Sequence, residues 1–230
     1  MVFSNYSGLN PLPASVPYHK SDPMFRKTVL ALIVLAIVFA AIDYARPSAV
    51  HPRRFDSADV ARSETDMWRA YYEHRSAHLF GILVGELHRD YGLSYTRSVL
   101  GAYYAAHAAV VFQKGKQRAD YEKALPDLER YYALLRRGSD ISFDPPVVAR
   151  AELEWWIAHR DRRPDLPQTL AVVQSAFYGI PAQCFRTHAD ARARAMLYRD
   201  AKGAAITDAD WRQIEGWLND SWSSLHDVVQ

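Results

Sequence analysis

Glu64, Tyr71 and His78 are seven residues apart, so a helix carrying them presents all three on one face, together with Val60 and Ile82. His107 lies three or four residues from Tyr103, Tyr104, Val110 and Val111, midway along an apolar stripe. Val148, Glu152, Trp155 and His159 share a third helical face, while Glu154 sits about 200° around the helix from Glu152. Two carboxylates and three imidazoles on three helices, turned to a common interior, are the donor set from which helical bundles build carboxylate-bridged di-iron or di-manganese sites. Glu64, His78, His107, Glu152 and His159 are therefore the candidate metal ligands of a membrane-tethered, oxidase-like metalloprotein, with iron or manganese as its cofactor.

The spacing argues against that chemistry. Ferritin-like bundles place Glu-x-x-His on two helices, and this chain contains no Glu-x-x-His. Pairs separated by seven or more residues do not reach one ion unaided. Arginines lie close by at Arg75, Arg150 and Arg160, and tyrosines are plentiful. Carboxylates tied to arginine and imidazoles bonded to tyrosine would hold a bundle in register with no cofactor. That is the preferred expectation.

Other reaction chemistry is not signalled. The chain has no Gly-x-Ser-x-Gly elbow, no phosphate loop, no dinucleotide fingerprint and no haem-attachment motif. Cys184 precedes His188 by four residues, a spacing that also fits a lone core cysteine. Arg192, Arg194 and Arg199 share one helix and are expected to form a solvated face, or a contact for lipid headgroups or an acidic partner. The reading leans away from an enzyme.

The elements that must position these residues are helices. At 230 residues, 49% hydrophobic and 23% charged, the chain can bury a core and is not wholly disordered. Its 28 basic residues against 26 acidic ones leave a net charge of +2, which argues against a nucleic-acid partner, and one cysteine excludes an internal disulfide framework. Apolar residues recur at helical spacing over Ser57–Asp90, from Ser94 to Gly115, from Pro126 to Gly138, from Pro145 to Pro164, over Leu166–Tyr178, over His188–Lys202 and from Thr207 to the end. Alanines at 102, 105, 106, 108 and 109 would let a neighbouring helix approach the second of these closely. No alternating β-branched run follows residue 45, so the class is all-α: one N-terminal transmembrane helix followed by an aromatic-rich multi-helix bundle. Paired aromatics recur (Tyr71-Tyr72, Tyr103-Tyr104, Tyr131-Tyr132, Trp155-Trp156) at unequal intervals, which excludes a solenoid period.

The division expected is an extended, proline-punctuated arm over 1–27, a membrane span over 28–45, a linker over 46–55 and a helical domain over 56–230. Fifteen residues from Thr28 to Ile42 carry no charge, and no small-residue cleavage pair follows, so the span reads as a single-pass signal anchor. Arg26 and Lys27 at one end and Asp43 at the other place the N-terminus in the cytoplasm and the domain in the periplasm of a bacterial-type inner membrane. A lipid bilayer and other membrane-protein subunits are the partners expected. The 14 tyrosines and 6 tryptophans suit interfaces. The function expected is that of a non-catalytic accessory or scaffold subunit of a larger complex, for example an energy-converting, respiratory or photosynthetic one.

Overall fold

The computed structural model describes residues 23–230, which divide into two units, one ending at Ala41 and the other beginning at Ile42. Helix α1 runs Pro23–Ala45, so residues 23–27 are helical where an extended arm is expected; residues 1–22 lie outside the described ones. The physical reason is that a proline sits well in a helix's first turn, where its missing N–H costs nothing, and the four residues after it have no β-branch. The segment Met24–Ala45 has a mean hydropathy of 2.4 over its best window and is long and apolar enough to cross a membrane. Leu30, Leu32, Leu35, Ile37 and Phe39 are all exposed.

The second unit is all helix among its described regular elements. The single helix expected over Ser57–Asp90 is two: α2 (Ser57–Tyr72) and α3 (Ser76–Arg89). Between them His74 takes a left-handed φ of 57°, and the Arg75 N–H reaches back to the Ala70 carbonyl at 2.8 Å. That bond closes a helix end of the kind usually marked by glycine, and a histidine in the glycine's place hides it from the sequence. After α4 (Tyr95–Lys114), capped by Ser94, a short α5 (Arg118–Tyr121) and a tight turn lead into α6 (Leu125–Arg136). Then follow α7 (Pro145–Arg160), α8 (Leu166–Tyr178), α9 (Arg186–Lys202) and α10 (Asp208–Val229). The last begins at a capping box, with Thr207 Oγ1 accepting from the Asp210 N–H and the Asp210 carboxylate accepting from the Thr207 N–H.

Each long helix packs on the next: α2 on α3, α3 on α4, α4 on α6, α6 on α7, α7 on α8, α8 on α9 and α9 on α10. Helix α10 then packs on α2, which closes the succession into a ring. The main core lines the ring through Leu87, Leu128, Leu153, Leu170 and Phe185, and a second cluster of Ala61, Ala195, Trp211, Ile214 and Leu218 fills the closing seam. On α4, Ala102 and Ala108 are fully buried, and a Cβ on Gly101 would stand 2.9 Å from Leu87 Cδ1. The small residues of α4 therefore do allow close helix approach.

The stretch joining α1 to α2 is not a loose linker. Val50 bridges Ser139 in parallel, with its N–H on the Gly138 carbonyl at 3.1 Å and its carbonyl accepting from the Asp140 N–H at 3.1 Å. Arg97, fully buried, donates to Ser48 Oγ at 2.7 Å and to the Tyr44 carbonyl at 2.6 Å. The Thr96 N–H donates to Asp43 at 2.7 Å. Gly138 has φ +85°, and a Cβ there would run into the Ser48 carbonyl oxygen. Gly138→Ala is therefore expected to lower stability by about 1–3 kcal/mol. Gly81→Ala in α3, where a Cβ meets nothing within 4 Å, is expected to raise it by up to about 1 kcal/mol. Thermal unfolding of the detergent-solubilised chain followed by circular dichroism measures both.

Candidate functional site

At the centre of the ring, seven of its helices converge charged or aromatic side chains on one cavity of about 270 Å³. Glu64 on α2 is 3% exposed; its Oε1 accepts from Arg192 Nε of α9 at 2.9 Å and from Nη2 at 2.5 Å. Its Oε2 accepts from Trp222 Nε1 of α10 at 2.7 Å. Both oxygens of this buried carboxylate thus accept from charge-assisted or indole donors. Glu152 on α7 accepts from the Tyr132 hydroxyl at 3.1 Å and from Trp156 Nε1 at 3.0 Å, with no cation paired to it among the described residues.

Glu86 on α3 also lines this cavity. Burial pushes its carboxyl up to about 7, reinforced by the charges of Glu64 and Asp90, while a Ser63 hydrogen bond and Arg89 pull the other way. Tyr91, just beyond α3, and Tyr131 on α6 complete the wall. Burial raises both phenols, Tyr131 well above its ordinary value. Neither hydroxyl makes a hydrogen bond among the described residues. On the neighbouring turn of α9, His188 is fully buried against Trp222, and its Nδ1 meets Ser221 Oγ at 2.8 Å. Burial, aided by Arg192, holds its imidazole down at about 3, so the ring is neutral near pH 7.

The five candidate metal ligands do not come together. Glu64 and Glu152 face the central cavity, whereas His78 is exposed beside a surface hollow with Asp59 and Asp66. His107 is also exposed, and its Nδ1 meets Asp127 at 2.6 Å. His159 Nε2 meets Asp200 at 2.9 Å at the edge of an outer aromatic cleft lined by Trp68, Tyr72, Trp155 and Trp156. Among the described residues no group of three or more His, Cys, Asp or Glu is placed to hold a metal ion. The helical-face argument fails at His78, because the break at His74 rotates α3 relative to α2.

The arginines play other parts than expected. Arg75 pairs with Glu73, Arg150 donates to the Pro146 carbonyl, and Arg160 caps α4 by donating to the carbonyls of Phe112, Gln113 and Gly115. The arginine that satisfies Glu64 is instead Arg192, one of three expected on a solvated face. Arg199 stacks 3.0 Å over the Tyr72 ring and Arg194 lies 4.2 Å over Trp217, so the α9 arginines grip neighbouring helices. Cys184 is exposed in a short turn, whereas His188 is fully buried. Glu86, Tyr91, Tyr131, Arg192 and Trp222 were not foreseen as a group. One signal for Glu86 exists: it lies four residues beyond Ile82 and seven beyond Leu79, within an apolar stripe.

Compared with protein-family models, curated proteins and solved structures, the chain matches none of them.

Arg192→Met strands the Glu64 carboxylate in the interior and is expected to cost about 3–5 kcal/mol, most of it recovered when Glu64→Leu is added. Urea unfolding of the two variants measures this. The pH dependence carries two opposed slopes. Glu86, raised in the folded state, contributes fully below its ordinary value near 4.5 and loses that contribution as pH rises through about 7. His188, lowered, contributes fully above about 6.5 and loses its contribution as pH falls toward about 3. Each slope is bounded by about 1.4 kcal/mol per pH unit. Glu86→Gln is expected to remove the alkaline decline and leave the acid one, as read from urea midpoints between acid and mildly alkaline pH.

Proposed function

We propose that this chain is a non-catalytic accessory subunit of a membrane-protein complex, tethered by α1 and docked through the outer face of α4. The observation that carries the reading is a row of uncovered side chains on α4. Tyr95, Val99, Tyr103 and Val110 are 59%, 45%, 52% and 42% exposed, and with exposed Ala106 they follow one another at steps of four, four, three and four residues. Single exposed apolar residues are ordinary on any protein surface. A stripe about 22 Å long on one helix has the length and the tyrosine content of the centre of a protein interface.

The interior supports the same reading from the opposite side. Glu64 and Glu152 are held by donors of the chain itself, and His107 and His159 are each paired with an aspartate. These groups act as ties between helices. For the membrane side, the exposed apolar surface of α1 favours insertion in a bilayer, and Arg26 and Lys27 ahead of it favour a cytoplasmic N-terminus in a bacterial-type inner membrane, with the domain periplasmic.

The test is gentle detergent extraction of the untagged protein from its own membranes, with particle size and co-purifying chains read from one peak. A discrete large assembly with stoichiometric partners is expected. Val99→Asp, on the exposed face, should release the chain as a folded particle of one or two copies with unchanged thermal unfolding. A wild-type peak of one or two copies without partners, or an assembly indifferent to Val99→Asp, would remove the proposal.

A further inference from the structure

The central cavity draws its lining from other elements than α4 and is separate from the proposed docking face. Its wall holds four carboxylates, Glu64, Glu86, Asp90 and Glu152, against two arginines, Arg54 and Arg192. Arg192 is committed to Glu64 through both Nε and Nη2. Neither Glu86 nor Glu152 is in an ion pair among the described residues, and both line the cavity. The wall between them is aromatic, built of Tyr91, Tyr131 and Trp222, so ring faces and carboxylates meet around one space. Two of those rings, Tyr91 and Tyr131, are half-buried on the cavity wall, and their hydroxyls make no hydrogen bond among the described residues, which leaves them open to a ligand.

The ligand that answers all of these features is positively charged, carries a hydrogen-bond acceptor for a phenol, and is wider than a metal ion. Excess negative charge attracts a cation into a low-dielectric cleft, and ring faces add a further attraction to an ammonium group. A bare metal is disfavoured by the spread of the carboxylates, since among the described residues no three His, Cys, Asp or Glu stand close enough to hold one. About 270 Å³ is slightly below the usual size of a drug-like site, which suits a small amine. Glu86, held near half-protonation at neutral pH, takes up a proton where a ligand cation would otherwise neutralise it.

We propose that the cavity enclosed by Glu86, Glu152, Tyr91, Tyr131 and Trp222 binds a small organic ammonium cation bearing a hydroxyl or carbonyl oxygen.

The experiment titrates the full chain in detergent with choline by calorimetry and repeats it with dimethylbutanol, the uncharged carbon isostere of choline. Saturable one-to-one binding of choline is expected, with the isostere about tenfold weaker or more. Glu86→Gln and Tyr131→Phe should each weaken choline several-fold, with thermal unfolding recorded to confirm that both variants fold. Absence of saturable choline binding to the wild-type chain would overturn the proposal. Equal binding of choline and its isostere, or choline binding unchanged in a folded Glu86→Gln, would overturn it as well.

Discussion

The Glu64 carboxylate holds the domain closed. It belongs to α2, the first helix of the ring, and its three hydrogen bonds come from α9 and α10, the last two. The residues it joins are separated by 128 and 158 positions in the sequence. A succession of helices each packed on its neighbour has no intrinsic reason to close, and the seam of Ala61, Ala195, Trp211, Ile214 and Leu218 supplies area without direction. The buried carboxylate supplies direction, because only one registration of α2 against α9 and α10 satisfies it. Breaking a buried pair is far more costly than never having built it, so the interaction acts as a specificity device more than as a source of net stability.

Closing the ring has a second consequence. Helices arranged around a common axis cannot all fill it with apolar side chains from a chain this rich in tyrosine. What remains is a cavity with Glu86 and Glu152 on its wall and phenols turned inward. On the outside, the same geometry leaves one face of α4 without a neighbour among the described residues, while its inner face packs Gly101, Ala102 and Ala108. Inner polarity and outer apolarity are thus two products of one arrangement.

Much of this could be read from residue types. The helix over Leu166–Tyr178 is where periodicity and proline and glycine signals place it, and the Thr207 cap of α10 is where a side-chain acceptor three residues before a carboxylate predicts it. The apolar span is legible for the same reason, although α1 begins at Pro23 because a first-turn proline extends a helix as readily as it ends one. The break between α2 and α3 was not legible, since His74 adopts a left-handed conformation that sequence rules assign to glycine or asparagine. Facing of side chains was read correctly for Glu64 and Glu152. Which arginine reaches Glu64 was not, because proximity along the chain favours Arg75 while the ring's closure brings Arg192. Long-range closure leaves no local mark, and the cavity depends on it.

The proposed docking through the outer face of α4 can be tested in the intact membrane. A photo-crosslinking residue would be placed singly at Tyr95, Val99, Tyr103 and Val110 on α4, and at exposed Arg150 and Arg212 elsewhere on the domain. Irradiation should join the four α4 positions to the same discrete polypeptide and leave the two control positions unlinked. Equal crosslinking from all six positions, or no protein adduct from any α4 position, would contradict the account.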